Sequence, residues 1–193
     1  IPYKTMLLPL LSFYQNLPNK DFSQATDFQL ETLKLWFYAS IFDNRYGGAR
    51  HGSTNVVLKK DCEVLEELAK VGKIKDLTYW DNFRIDYSEE EFIRIDSNGN
   101  AKFLAINYLM WNQKEFLNFE NSENISIKSD IDVHHFYPVS YVKKTFGEDS
   151  TEFDLVDSIL NKVRINKISN IKIKDKAPST YLAEILDFRL KDC

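Results

Sequence analysis

The sequence predicts an α+β fold that is mostly helical, in which a helical N-terminal region packs on a small C-terminal module of two strands and a helix. Apolar residues recur at helical spacing through most of the first 126 residues. A polar stretch rich in Asn and Ser then runs from Glu120 to Asp130, and the apolar runs that follow it are shorter. We therefore predict two domains, residues 1–126 and residues 127–193.

Two long helices are predicted in the first domain, Gln29 to Phe42 and Val57 to Val71, each with an apolar residue at every third or fourth position. We expect them to bury these faces against each other. The glycine-rich segment between them, Arg45 to Gly52, is predicted to be a loop. His51 within it is interpreted as an ordinary loop residue, with a DNA contact as the alternative.

A third and a fourth helix are predicted after residue 87. Ser88 and Glu91 have the spacing of a capping box, in which each side chain bonds to the other residue's backbone at a helix start. Phe103 to Trp111 has the apolar spacing of a buried helix.

The second domain is predicted to contain short strands at Ile131 to Phe136 and Lys162 to Asn166, with an inserted helix at Ser140 to Phe146. A short helix is expected after Asn166. Pro178 suits the first turn of a last helix, Ser179 to Leu190, because its missing N–H group costs nothing there.

The composition is that of a soluble globular chain, since Gly and Pro are too few for a disordered one. The apolar run from Met6 to Leu11 is too short to cross a bilayer. Cys62 and Cys193 are predicted to be free thiols in a reducing compartment. We therefore expect a cytoplasmic protein without a membrane partner.

The net charge of −4 has the wrong sign for a protein that owes its affinity to neutralising phosphates. The local distribution differs from the total, because the segment from Lys162 to Lys176 holds six basic residues and one acidic residue. This segment is predicted to face phosphate through Lys162, Arg164 and Lys167. The alternative is an ordinary solvated surface.

Two adjacent histidines, His134 and His135, offer the groups that phosphodiester hydrolysis requires. One imidazole can act as a general base, because its pKa lies near neutrality, and the other can bind a metal ion. The alternative is a plain surface feature at a strand end. Asn161 and Asn170 follow in the basic segment, and a carboxamide oxygen can bind Mg²⁺; in a chain rich in Asn, however, asparagines also mark turns.

These residues resemble the HNH domain of the RNA-guided CRISPR nucleases. The run Asp132 to Ser140 is similar to D-V-D-H-I-V-P-Q-S, and Asp157 to Val163 is similar to D-S-I-D-N-K-V. The nine-residue step from Asn161 to Asn170 equals the step between the two functional asparagines of that family.

A closer resemblance, over nearly the whole chain, is to the C-terminal half of GmrSD-type restriction enzymes, which attack modified phage DNA. Their pattern H-H-I-F-P, then N, then N, then D-K-x-P-S-x-Y-L matches a run that ends here at Asp175 to Leu182. In those enzymes a nucleotide-hydrolysing domain precedes this half. Because the chain begins at Ile1 and not at Met, we expect such a domain to be absent from it.

The resemblance implies an HNH module of the ββα-metal type, with His135 as the general base. It also implies His134 and Asn170 as metal ligands, Asn161 as the residue that fixes the histidine loop, and Lys176 near the scissile phosphate. The implied cofactor is a divalent cation, Mg²⁺ first. Because His134 stands where the CRISPR pattern has Asp, Mn²⁺, Ni²⁺ and Zn²⁺ are alternatives.

We therefore predict a metal-dependent DNA endonuclease from a phage-defence restriction system, acting on double-stranded DNA that includes modified phage DNA. The alternative is a non-catalytic module with an HNH-like fold that binds nucleic acid or docks a partner. RNA remains open as a substrate.

Overall fold

The computed structural model describes residues 3–47, 49–85, 87–96, 100–112 and 130–191. The chain divides into two compact units, Ile1–Asp86 and Tyr87–Cys193, and each is described by itself. The predicted domain boundary at residue 126 lies outside the described residues. The helix that spans Ala101–Asn112 belongs to the second unit, together with the predicted C-terminal module.

The first unit is built on three helices: α1 (Leu7–Asn16), α2 (Asp27–Phe42) and α3 (Thr54–Val71). Short 3-10 turns connect them at Pro18–Lys20, Phe22–Gln24 and Ala49–His51, and two more lie before α1 and after α3, at Lys4–Met6 and Leu77–Asn82. A capping box of Thr26 and Gln29 starts α2, and Gly72 ends α3 in the left-handed conformation that glycine adopts without strain.

Helix α3 packs mainly on α1 and only lightly on α2, which differs from the predicted pairing of the two long helices. The cause is α1, which the sequence analysis did not predict as a helix. Its Phe13 is fully buried, and so are Leu65 and Leu68 of α3. The predicted loop after α2 is a turn, in which the largely covered His51 lies 2.9 Å from Asp43.

The second unit contains six α-helices, a 3-10 turn at Ile159–Asn161 and two strands within the part of the chain that the structure describes. The helices are α4 (Glu89–Ile93), α5 (Ala101–Asn112), α6 (Val139–Phe146), α7 (Thr151–Asp154), α8 (Lys167–Ile173) and α9 (Pro178–Lys191). The strands are β1 (Ile131–His135) and β2 (Lys162–Asn166). The predicted capping box of Ser88 and Glu91 is confirmed at the start of α4.

Strands β1 and β2 form an antiparallel pair in which His134 lies opposite Val163 and His135 opposite Lys162. Each face of the pair covers its own apolar core, because successive side chains of a strand point to opposite sides. One core gathers Ile165, Ile173 and Tyr181, from β2, α8 and α9. The other gathers residues around α5 and the turn before β2: Ile95, Phe103 and Ile159, with Ile106 and Val133 packed against them.

The predicted α+β class with a mostly helical composition is confirmed in its coarse form, a helical chain with one small antiparallel sheet. Strand β2 has the predicted bounds, and β1 ends one residue earlier, at His135. Among the described residues, no helix has both the length and the apolar surface that crossing a bilayer requires.

Candidate functional site

The two adjacent histidines of β1 point to opposite faces of the sheet, because strand side chains alternate. His134 faces the side that α8 and α9 cover, and it is 4% exposed. His135 faces the side of its cross-strand neighbour Lys162. The two side chains therefore lie in different environments, although the residues are adjacent in sequence.

On the first face, His134 meets the predicted second ligand. His134 Nδ1 lies 2.7 Å from Asn170 Oδ1, across 36 residues of sequence. Asn170 Nδ2 in turn donates to Asp132 Oδ2 at 3.0 Å. A carboxylate only accepts hydrogen bonds, so the NH₂ group of Asn170 points toward Asp132. The oxygen of the same amide therefore points toward His134.

Burial lowers the pKa of His134, and its bond to Asn170 opposes that shift. The neutral imidazole is therefore the favoured form. Because the carboxamide oxygen of Asn170 can only accept a hydrogen bond, Nδ1 carries the proton of that form, and a metal ion bound at Nδ1 would replace this proton. His134 Nε2 is buried and has no hydrogen-bond partner within the described part of the chain. The ring is held instead by its Nδ1 contact and by the edge-to-face packing of Tyr181, with ring centroids 6.0 Å apart.

The donor set of His134 and Asn170 fits a divalent cation of the borderline class. An ion with ligands at about 2.1 Å needs neighbouring donor atoms about 3 Å apart, whereas Nδ1 and Oδ1 are 2.7 Å apart in a hydrogen bond, so a shared ion would replace that bond and widen the gap slightly. No cluster of three or more His, Cys, Asp or Glu side chains suited to a metal occurs among the described residues. A cation here would therefore be held by an imidazole and a carboxamide.

On the second face, His135 joins Asp157 and Lys162. His135 Nε2 lies 2.7 Å from Asp157 Oδ1, and the same oxygen accepts from Lys162 Nζ at 2.7 Å. Lys162 Nζ also contacts His135 Nε2 directly. The bonds from Lys162 and then His135 lower the pKa of Asp157, so this carboxyl is ionised at neutral pH.

The position of the His135 proton decides what this triad can do. If Nε2 carries the proton and donates it to Asp157, the lone pair lies on Nδ1, as in a histidine oriented by a carboxylate for base catalysis. If Nε2 instead accepts a hydrogen bond from Lys162, its lone pair is used within the triad of His135, Asp157 and Lys162. Asp157 therefore supports base chemistry at His135, and Lys162 competes with it.

Asn161 acts as a clamp on the loop that follows β1. Its side-chain oxygen accepts from Tyr137 N at 2.7 Å, and its NH₂ group donates to the carbonyls of Tyr137 and Val156 at 3.0 and 2.8 Å. The backbone of Phe136 also donates to the carbonyl of Asn161 at 2.8 Å. With these bonds made, the amide is committed to positioning the histidine loop.

Helix α9 holds the same loop from the other side. The hydroxyl of Tyr181, 1% exposed, donates to the carbonyl of Phe136 at 2.7 Å. Burial raises the pKa of this phenol to about 12, so the hydroxyl keeps its proton and remains a donor. The Asp-Lys-x-Pro-Ser-x-Tyr-Leu run thus contributes a loop anchor through its tyrosine.

An open pocket of about 520 Å³ lies at the end of β1. Both histidines and Asn170 line it, although the histidines belong to different faces, because the strand ends there. The remaining lining residues come from the strand, the turn, α6 and the end of α8: Val133, Pro138, Val139, Ser140, Lys143 and Lys174. The predicted metal and base positions therefore share one cavity.

The basic residues of the predicted phosphate-facing strip differ in their surroundings. Lys162 has a side chain only 8% exposed and belongs to the triad described above. Arg164 Nε donates to Asn107 Oδ1 at 3.3 Å, and burial lowers the pKa of its guanidinium. Lys176 Nζ donates to Glu184 at 2.6 Å, whereas Lys167 is exposed at the start of α8.

Three positioning residues were not assigned a role from the sequence: Asp132, Asp157 and Tyr181. Asp132 and Asp157 lie inside the two matched motifs, so the motifs themselves carried a signal for them. Tyr181 lies inside the third. Their partners are 22 to 45 residues away in sequence, and only the tertiary fold identifies these contacts.

Comparison with known proteins gives one distant relative and no family. The chain is 25% identical over 191 residues to an uncharacterized protein of Methanocaldococcus jannaschii. That alignment covers 97% of this chain and 30% of the relative, so the chain spans about a third of the relative's length. No family model matches the sequence, and no solved structure matches it.

Proposed function

We propose that this chain is the nuclease part of a metal-dependent endonuclease, with a ββα-metal module of the HNH type formed by β1, β2 and α8. The observation that carries the proposal is the convergence of His134 Nδ1 and Asn170 Oδ1, 2.7 Å apart, in a pocket that His135 also lines. Asp132 supports it, because it holds the carboxamide oxygen toward the histidine.

His134 and Asn170 would hold a divalent cation, Mg²⁺ first and Mn²⁺, Ni²⁺ or Zn²⁺ as alternatives. When bound, that cation supplies Lewis-acid stabilisation of the phosphate and of the departing 3′ oxygen. The neutral state of the buried His134 favours binding, since a metal ion competes with a proton for the imidazole lone pair.

His135 acts as the general base in this proposal. Asp157 accepts a hydrogen bond from the Nε2–H group, so the lone pair lies on Nδ1, which takes a proton from the attacking water. Asn161 and Tyr181 are positioning residues in this proposal, because their polar groups are bonded to the loop after β1. The products then carry 5′-phosphates.

The proposed substrate is double-stranded DNA, on the strength of the resemblance to GmrSD-type restriction enzymes. The same resemblance favours modified phage DNA, a role in phage defence in the cytoplasm, and a nucleotide-hydrolysing domain outside this chain. Basic residues lie near the pocket where phosphate would bind, although the chain as a whole has a net charge of −4.

The direct test is nicking of supercoiled plasmid by the purified chain with Mg²⁺ or Mn²⁺. The wild type should nick, and His135→Ala should lower the rate by about 10²- to 10⁴-fold, the usual contribution of a general base. His51→Ala is the matched control, since His51 does not line the pocket and lies 2.9 Å from Asp43; slower nicking by this variant would favour the DNA contact considered for its loop. Circular dichroism of each variant checks that it is folded.

Equal nicking by wild type and His135→Ala would contradict the base assignment. Binding of duplex DNA without any nicking would support the non-catalytic module instead. The same assay with single-stranded RNA of matched length separates the two nucleic acids as substrates.

A further inference from the structure

The pocket beside His134 and Asn170 carries two lysines, of which Lys174 belongs to the basic segment Lys162 to Lys176 and Lys143 has no role predicted from the sequence. Lys143 reaches it from the last turn of α6, and Lys174 reaches it from the residue that ends α8. Among the described residues that line the pocket, the charged ones are these two lysines, and none is a carboxylate. Both charged side chains that line the cavity are therefore basic, on a chain whose net charge is −4.

We propose that Lys143 and Lys174 form a phosphate subsite that binds the nucleic-acid backbone next to the scissile phosphate. The inference rests on the proposed function for the identity of the ligand. It goes beyond that function by assigning substrate binding to two residues outside the matched motifs. The ligand class is a phosphodiester of a polynucleotide, because two ammonium groups at a pocket of about 520 Å³ can contact one backbone phosphate or two successive ones.

The backbone of Lys174 supports a role for its side chain. Lys174 has φ 53° and ψ −118°, a conformation in which residues with a Cβ atom are strained and in which glycine is favoured. Glycine is also the usual residue just after a helix. A lysine at such a position costs stability, and the ammonium that it brings to the pocket is the gain that offsets this cost.

Lys143 is available to a ligand although it has a partner. Its ammonium contacts Glu148, but both side chains are more than half exposed, at 57% and 58%. Exposed pairs of this kind contribute little free energy, so a phosphate in the pocket can replace the carboxylate. Lys162 and Lys176 differ, because the first is covered within the His135 triad and neither of them lines the pocket.

The test compares each lysine with a near neighbour of the same charge on the same helix. Lys143→Gln is matched by Lys144→Gln, and Lys174→Gly by Lys172→Gln, because Lys144 and Lys172 are exposed and do not line the pocket. Binding of a short DNA duplex is measured by fluorescence anisotropy in EDTA, between about 50 mM and about 200 mM salt. Removal of one phosphate contact should lower the slope of log K against log salt by about 1.

We expect Lys143→Gln and Lys174→Gly each to lower the slope by about 1 relative to its matched control, and the double variant to lower it by about 2. Lys174→Gly should also unfold at an equal or higher temperature than the wild type, because glycine relieves the strained backbone. Weaker binding by a variant that is at least as stable cannot result from loss of the fold.

The inference is overturned if the pocket lysines and their controls change the slope equally, or if the wild type binds no duplex. Plasmid nicking by the same proteins separates this inference from the proposed function. A wild type that nicks while the pocket variants bind normally removes the subsite and keeps the nuclease. A wild type that does not nick, with selective loss of binding in the pocket variants, removes the nuclease and keeps the subsite.

Discussion

Two polar clusters, one in each unit, differ in whether their hydrogen-bonding capacity is used up. In the first unit, the fully buried Asp61 accepts three bonds from Arg45, at 2.7, 2.9 and 3.2 Å, together with bonds from the hydroxyls of Tyr46 and Tyr79. The guanidinium of Arg45 also stacks over Phe83, 4.4 Å from the ring centroid. Every group that meets Asp61 is thus paired inside the protein.

In the second unit, His134 is almost as deeply buried as Asp61, but its hydrogen-bonding capacity is not used up by the described residues. One ring nitrogen meets a carboxamide oxygen at the edge of a pocket, and the other has no partner among the described residues. Burial alone therefore does not distinguish a structural cluster from a candidate site. A closed network stabilises the fold, whereas an incomplete one beside a cavity can bind a ligand.

The largest effect is expected at Asp61. Asp61→Asn keeps the shape of the side chain but leaves the buried charge of Arg45 without its counter-ion, so we expect a loss of about 3–5 kcal/mol in the free energy of unfolding. Urea denaturation followed by circular dichroism measures it. The exposed Asp81→Asn is the control, and equal stability of both variants would show that the Asp61 network is not structural.

A smaller loss of stability, joined to a loss of activity, is expected at Asn161. Asn161→Asp keeps an acceptor for Tyr137 but removes the donors to two carbonyls, which should cost about 1–3 kcal/mol and slow nicking. The affinity for Mn²⁺ should stay unchanged, because the clamp does not touch His134 or Asn170.

Asn82→Asp is the matched control, since Asn82 also donates to two carbonyls but is exposed in the first unit. Nicking by Asn161→Asp at the wild-type rate would contradict a positioning role for the clamp.

At Asp132 the expected effect is on metal affinity. Asp132→Ala frees the Asn170 amide to rotate, so we expect Mn²⁺ to bind about 10- to 100-fold more weakly, as when other groups that orient a metal ligand are removed. Asp130→Ala, two residues earlier and exposed, should bind Mn²⁺ like the wild type. Titration calorimetry measures both, and equal affinity would exclude Asp132 from the site.

The smallest effect is a pH dependence in the closed network. Burial and then the charge of Asp61 raise the pKa of Tyr46 and Tyr79, whereas tyrosines of the unfolded chain ionise near about pH 10. The two tyrosines make their full contribution to the free energy of unfolding below that pH. The contribution is lost as the pH rises above it, because only the unfolded chain then releases the protons.

Tyr79→Phe removes one of these phenols and should cost about 1 kcal/mol at neutral pH. It should also flatten the fall in stability between about pH 9 and about pH 11. Denaturation in urea across that range measures the slope, and an unchanged slope would contradict the assignment.

The local elements were largely predictable, because their signals are local. The capping box of Ser88 and Glu91, the bounds of β2 and the helix that starts at Pro178 all follow from residues within a few positions of one another. Helix α1 was missed because its apolar run was considered only as a possible membrane segment.

The site was predictable only where its residues form motifs. His134, His135 and Asn170 were selected from the sequence, and the fold brings them to one pocket. The pairing of His135 with Asp157 and Lys162 was not predicted, because it depends on the strand register and on a contact across 22 residues. The Asp61 network likewise joins residues 15 to 18 positions apart through the packing of the first unit.

The most direct test of the central claim is a crystal structure of the chain grown with Mn²⁺, with the ion located by anomalous scattering. We expect an anomalous peak within about 2.5 Å of both His134 Nδ1 and Asn170 Oδ1, where the ion replaces the hydrogen bond between them, and no such peak in Asn170→Ala. A fully occupied Mn²⁺ site elsewhere, with the hydrogen bond between His134 and Asn170 still present, would contradict this metal site.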